Sequence, residues 1–196
     1  RDSVKKFMQR EIEPFHHQWE KQGHISRDAW KKAGDAGLLC THLPEQYGGC
    51  AVDFRYSAIV IEEQSYAFAS GPGFSLHSDI VAPYILHYGS EQQKQRWLPK
   101  MASGETVTAI AMTEPGAGSD LAGVRTSAVR DGDHYLLNGS KTFITNGQLA
   151  DLIIVVAKTD SRAGAKGVSL FLLEAERAGF QRGQNLEKVG MKAQDT

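Results

Sequence analysis

The chain has 196 residues, 41% of them hydrophobic and 23% charged, with a formal net charge of −1. That length can bury a core without disulfide or metal staples, and a near-neutral balance with Lys and Arg spread along the chain speaks against a nucleic-acid partner. Cys40 and Cys50 make no disulfide framework and match no common metal-ligand spacing, and no apolar run approaches the ~20 residues that span a bilayer, so neither a metal site nor a membrane span is expected.

The first half reads as helices. Val4, Phe7, Met8, Ile12, Phe15 and Trp19 recur at helical spacing and predict one apolar stripe. Pro14 lies inside that stripe and predicts a kink or restart. The segment before it begins without a cap and has no signal-peptide apolar region. A second helix is expected over 27–36, with Ser26 as its N-cap, Asp28 in its first turn and Gly37 at its end. Leu43 to Gly49 is a loop rich in breakers. Asp53 caps a third predicted helix carrying Tyr56, Ile59, Val60, Glu63 and Ala67, and another follows Gly73 through Leu76, Ile80, Val81 and Tyr84. Ser90 with Gln93 three residues on forms a capping box for the next.

Near Gly104 the period changes from helical to alternating. Val107 to Met112 reads as a strand. Val124 to Val129 and Tyr135 to Leu137 flank Asp131-Gly132, a hairpin signal. Thr142 to Thr145, Leu152 to Lys158 and Val168 to Glu174 read as further strands. Helices followed by strands, rather than alternating with them, predict an α+β multidomain fold. Its parts are an all-α domain over residues 1–104 and an all-β, barrel- or sandwich-like domain over residues 105–196. The sheet would end with an open edge, an aggregation liability, so the natural chain is expected to continue past Thr196.

The most informative stretch is Met112-Thr-Glu-Pro-Gly-Ala-Gly-Ser-Asp120. Gly116 and Gly118 can adopt φ > 0 and admit other groups to the backbone, and successive backbone N–H groups in such turns form an anion-binding concavity. A Rossmann loop fails on two counts: the third glycine position is Leu121, and the following residues are strand-like. A Walker loop fails for want of a Lys-Ser/Thr pair. A tight turn without a ligand accounts for the loop on turn chemistry alone.

Four blocks in order change that balance. Ile110-Ala-Met-Thr-Glu-Pro-Gly-Ala-Gly-Ser-Asp120 resembles the signature of acyl-CoA dehydrogenases, as do Asn138-Gly-Ser-Lys-Thr-Phe-Ile-Thr-Asn146, Leu43-Pro-Glu-Gln-Tyr-Gly-Gly49 and Gly190-Met-Lys-Ala-Gln-Asp-Thr196. Ser70-Gly-Pro-Gly-Phe-Ser-Leu-His-Ser78 and Lys192-Ala-Gln-Asp195 resemble the long-chain subgroup, where Gly71, Pro72 and Gly73 would leave room for a longer acyl chain. The resemblance implies a helical domain, a β-domain and a further C-terminal helical-bundle domain absent from these residues. It implies FAD as cofactor, acyl-CoA as substrate, electron-transferring flavoprotein as electron acceptor, a homotetramer, and a place in fatty-acid β-oxidation in bacterial cytoplasm or mitochondrial matrix.

Residue by residue, the resemblance assigns Ile110, Ala111, Met112 and Thr113 to the flavin, Gly118 and Ser119 to the FAD pyrophosphate, and Phe143, Ile144 and Thr145 to a second flavin segment. Ser119, Ala165 and Lys166 fall where the family meets its acyl-CoA substrate. Many members carry Trp where Phe143 stands, so an indole N–H donor is replaced by apolar cover alone. Glu114 and Asp120 are implied to hold the loop rather than act as base, and no catalytic residue is expected in this chain. The base would come from beyond Thr196. His77 lies near the implied acyl tunnel, though a packed imidazole is the simpler reading. A flavin oxidase or monooxygenase of the same fold, and a non-catalytic flavin- or acyl-CoA-binding module, are the competing readings.

Overall fold

A computed structural model describes all 196 residues. The chain opens with α1 (Asp2–Phe7), passes through one π-helical segment (Met8–Ile12) and continues as α2 (Glu13–Gln22). Pro14 explains the π segment: a proline ring clashes with the carbonyl four residues back and has no N–H to give it, and a widened turn absorbs both. The extra residue in that turn rotates the following stripe. Val4, Phe7, Met8, Ile12 and Trp19 are buried, whereas Phe15, expected on the same face, is exposed and stacks on Trp19 at 5.8 Å between ring centroids.

The next helix, α3 (Arg27–Asp35), starts where expected. The Ser26 hydroxyl accepts from the Ala29 N–H at 3.2 Å, and Gly37 beyond its end has φ 66°. Asp53 caps α4 (Phe54–Tyr66), but the buried face carries Ser57, Val60 and Glu63, leaving Tyr56 exposed. A second π segment (Leu76–Val81) precedes α5 (Ala82–Tyr88), with Pro83 placed as Pro14 is after the first. Finally α6 (Glu91–Ala102) opens on the capping box, both halves of which form between Ser90 and Gln93. No helix is long and apolar enough to cross a membrane.

After Ala102 the chain contains strands and single 3-10 turns. Strands β1 (Thr108–Ala111), β2 (Ser127–Asp131), β3 (His134–Asn138), β4 (Leu152–Lys158) and β5 (Val168–Glu174) form one mixed sheet. The β2–β3 hairpin closes with Asp131 opposite His134, and Gly132 takes φ 62° at the first loop position, the site where a tight hairpin turn calls for glycine. Antiparallel β5 runs along all of β4 from Leu152 to Lys158. The other edge of β4 is shared: β1 pairs with it in parallel from Leu152 to Val155, and β2 takes over in parallel at Lys158. The chain thus leaves the β4 edge after Ala111, makes the glycine-rich excursion, and returns to the same edge.

Both faces of β4 are covered, which is why every residue from Leu152 to Ala157 is buried. Leu152 and Ile154 face the helices in a core of 28 residues that also holds Trp30, Phe74, Leu98, Met101, Val107 and Ile110. Ile153 and Val155 point the other way, into a small cluster with Ala109, Ala111 and Ala150 that Ile144, Leu137 and Phe180 cover. The pleat produces this division, since successive side chains point to opposite faces.

The segment Thr142–Thr145, expected as a strand, is irregular. Phe143 and Asn146 both have left-handed backbones, at φ 59° and 63°. Four hydrogen bonds hold the segment in place of a ladder: the Thr142 N–H donates to the Thr113 carbonyl at 3.0 Å, the Asn146 N–H to the Asp195 carbonyl at 3.0 Å, and the Asn146 side-chain amide to the carbonyls of Thr108 and Gly73 at 3.1 and 3.2 Å.

Candidate functional site

The glycine-rich excursion is anchored by one carboxylate. Glu114 is buried and accepts four hydrogen bonds: from the N–H groups of Arg125 (2.6 Å) and Thr126 (2.9 Å), the Thr126 hydroxyl (2.5 Å) and the Lys141 ammonium (2.8 Å). Burial pushes this carboxyl up, but Lys141, Thr126 and the two backbone donors outweigh it and bring it down to about 2. Glu114 also pairs with Ala117 through both backbone groups, closing a tight turn over Pro115 and Gly116. Asp120 accepts from the Ala122 N–H at 3.0 Å and caps the single 3-10 turn Leu121–Gly123. Both acids are therefore committed to shaping the loop. A carboxylate ionised far below neutral pH and saturated with donors is a poor proton acceptor.

Neither Gly116 nor Gly118 has a positive φ, contrary to the expectation from the sequence. A Cβ built on either meets nothing within 4 Å. Nothing inside the protein requires glycine at these two positions; the open space above them does, if a ligand lies there. The Gly118 and Ser119 amides take no part in the backbone hydrogen bonding of the loop, and Ser119 is exposed. Free, successive N–H groups on an open glycine turn suit an anion such as a pyrophosphate.

The two segments expected at a flavin lie side by side. Residues 141–146 run back along β1: Lys141 reaches the Met112 carbonyl at 3.0 Å, Thr142 the Thr113 carbonyl, and Asn146 the Thr108 carbonyl. Phe143 projects outward, two-thirds exposed, from its left-handed position. Thr113 and Thr145 are half-buried beside it. Alternation splits the rest: Ile110 and Met112 point toward the helical half, while Ala111 and Ile144 meet in the small cluster on the other face.

Ile110 and Met112 open onto an apolar cleft of about 210 Å³, whose nine lining residues are all hydrophobic. Ala165 joins them there from the 3-10 turn Gly164–Gly167, with Tyr84 of α5, Leu121 beside the glycine loop, Val156 of β4 and Leu170 of β5. Lys166, the neighbour of Ala165, is exposed. Of the residues the resemblance assigns, Ile110, Met112 and Ala165 line this cleft. The sequence did not point to Tyr84, Leu121 or Val156 as lining it; they reach the cleft from separate elements and carry no local signal beyond being apolar.

One expectation about the 70–78 segment is corrected. Gly71 and Gly73 do not open a space for a ligand in this chain. A Cβ on Gly73 would lie 2.1 Å from the Asn146 Oδ1, and one on Gly71 would lie 2.7 Å from the Ala193 Cβ. The spaces at the glycines are filled from across the fold, by Asn146 at Gly73 and by Ala193 of the terminal motif at Gly71. His77 is fully buried, in keeping with the packed imidazole that is the simpler reading of the sequence. Its Nε2–H donates to the Met101 carbonyl at 3.0 Å, which leaves Nδ1 to accept from the Thr108 hydroxyl at 2.9 Å. Burial lowers its pKa to about 4. The terminal motif is used as a clamp: Asp195, itself buried, accepts from the N–H groups of Gln148 and Leu149 at 2.7 and 3.0 Å.

Comparison with known proteins agrees with this geometry. The chain is 56% identical over its whole length to the mitochondrial long-chain specific acyl-CoA dehydrogenase of Sus scrofa, covering 46% of that protein. Among solved structures, an acyl-CoA dehydrogenase from Geobacillus kaustophilus superposes with a TM-score of 0.94 at 54% identity, over 97% of this chain and 51% of that one. A glutaryl-CoA dehydrogenase from Mycobacterium smegmatis in complex with FADH2 does so with a TM-score of 0.90 at 31% identity, over 99% of this chain and 49% of that one. The chain spans about half the length of these relatives. Residues 1–105 match the family described as acyl-CoA dehydrogenase, N-terminal domain, and residues 109–196 match its middle domain: the chain belongs to the acyl-CoA dehydrogenase family.

Proposed function

We propose that this chain forms the helical and β-domains, residues 1–104 and 105–196, of an FAD-dependent acyl-CoA dehydrogenase of the long-chain type. The observation that carries the reading is the binding of Lys141 and Thr142 to the Met112 and Thr113 carbonyls, which brings residues 143–145 next to 110–113 beside an open glycine turn and an apolar cleft. FAD, bound there, supplies the hydride acceptor for α,β-dehydrogenation of an acyl-CoA thioester to the trans-2-enoyl product.

The residues present suit that cofactor. Ile110, Met112 and Thr113 from one segment and Phe143 and Thr145 from the other would border the flavin, with Ala111 and Ile144 backing them from the small cluster. The exposed Phe143 ring gives an apolar cover that excludes water. The amides at Gly118 and Ser119 receive the pyrophosphate, and the lack of a Cβ at Gly116 and Gly118 lets it approach the backbone. Ser119 and Ala165 border the thioester substrate, and Lys166 meets a phosphate of its CoA part. The α-proton is removed by a base that the family resemblance implies to lie outside these 196 residues; the two loop acids are engaged in holding the loop. Electrons leave to an electron-transferring flavoprotein. The working assembly is a homotetramer in a mitochondrial matrix or a bacterial cytoplasm, the former being the compartment named for the Sus scrofa relative.

The test is an anaerobic titration of the protein, as its gene encodes it, with a long-chain saturated acyl-CoA. Bleaching of the flavin absorbance with formation of the 2-enoyl product is expected. A flavin that bleaches but is reoxidised rapidly by oxygen, without need of a flavoprotein acceptor, would instead indicate an oxidase. A flavin that no acyl-CoA bleaches would refute the dehydrogenase reading.

A further inference from the structure

The Lys141 ammonium lies where the start of the glycine-rich excursion meets the chain just before the 143–145 segment. Its side chain is only 11% exposed. It donates to the Met112 carbonyl at 3.0 Å and to Glu114 Oε1 at 2.8 Å. The next residue, Thr142, donates its N–H to the Thr113 carbonyl at 3.0 Å. Glu114 in turn holds the far arm of the excursion through Arg125 and Thr126. One ammonium therefore ties three pieces of chain: the end of β1, the return arm before β2, and the entry to the irregular segment.

That segment needs such a tether. Phe143 and Asn146 sit in left-handed backbone, which non-glycine residues adopt at a cost and keep only where surroundings over-determine it. Residues 142–145 have no strand ladder. Asn146 and Asp195 fix the downstream end; on the upstream end the fixed points are Lys141 and the Thr142 N–H.

We propose that Lys141 is a positioning residue for the flavin: by holding the Met112 carbonyl and the Glu114 carboxylate together, it sets the spacing between the 110–113 and 143–145 segments. The proposal rests on the reading of the site given above. It assigns Lys141 two separable tasks. One is to neutralise Glu114, a matter of folding: removing one partner of a buried pair leaves an uncompensated charge. The other is to hold Met112 against the 141–145 segment, which acts on the cofactor. The double substitution Lys141→Met with Glu114→Gln separates them, because it removes the stranded charge but leaves the Met112 carbonyl untethered.

The experiment measures FAD affinity, the visible spectrum of bound flavin and the melting temperature of the FAD-free protein, on the protein as its gene encodes it. Lys141→Met is expected to melt several degrees lower and to bind FAD about tenfold more weakly, the loss expected of one charge-assisted hydrogen bond. The double variant is expected to recover much of the melting temperature, keep the weakened FAD affinity and show a shifted flavin spectrum. If either variant is folded and matches wild type in FAD affinity and flavin spectrum, Lys141 is merely structural and the proposal is overturned. If Lys141→Met alone does not fold, the double variant decides. If the wild-type protein takes up no flavin, the reading of the site fails first, a result distinguishable from the others because no variant is needed to see it.

Discussion

Glycines in this chain answer to two different demands, and one substitution at each type of position tells them apart. Gly73 is pressed against Asn146. Gly73→Ala is expected to cost about 1–3 kcal/mol through overpacking, read as a lower melting temperature. Gly118 faces open space. Gly118→Ala is expected to leave stability within about 0.5 kcal/mol, as surface substitutions do, while lowering FAD retention. Equal melting losses at both positions would contradict this assignment. His77 makes a prediction about pH. Burial lowers its pKa from 6.5 to about 4, so the folded state binds its proton less readily than the unfolded state. Its contribution is present in full above about pH 6.5 and is lost as pH falls toward 4. The melting-temperature gap between wild type and His77→Gln should therefore narrow between pH 7 and 4.5. A gap that stays constant would show that His77 is not buried neutral.

Elements whose signals are local could be read in advance. Ser26, Asp53 and Ser90 all cap the helices assigned to them, since a cap is formed by a side chain and an N–H two or three residues away. Ser90→Ala is expected to destabilise the protein by about 1 kcal/mol, measurable by denaturant melts. Pro14 announced a disruption and the structure answers with a π turn, whose extra residue moved Phe15 off the buried stripe. The segment Thr142–Thr145 misled for the opposite reason. Its β-branched and aromatic residues favour strands, but Lys141, Thr142 and Asn146 hold it to Met112, Thr113, Thr108 and Asp195, partners that lie far away in sequence.

At the scale of the molecule, helices and sheet are not independent bodies. Trp30, Phe74 and Leu98 from the helical half share one core with Ile110, Leu152 and Ile154 of the sheet and with Val107 just before it. Leu152 is fully buried at this junction. Leu152→Ala is expected to cost about 2–5 kcal/mol and to lower a single melting transition seen alike by far-UV circular dichroism and tryptophan fluorescence. Two separated transitions would mean that the shared core does not couple the halves.

The amino-acid sequence by itself determined the order of the helices and of the five strands that form, though not the irregularity of 142–145, together with the caps, the hairpin turn and the motif-bearing segments at 110–120 and 138–146, because each depends on side-chain period or on contacts between near neighbours. Tertiary structure alone decided what those segments face. Ile110 and Met112 turn toward a cleft shared with Tyr84, Val156 and Ala165, Gly73 is filled by Asn146, and Lys141 binds Met112 to Glu114. These outcomes arise from the return of the chain to the β4 edge after the glycine-rich excursion and from the packing of the helices on one face of the sheet. Both are long-range pairings, and no local pattern encodes which distant residue will fill a given space.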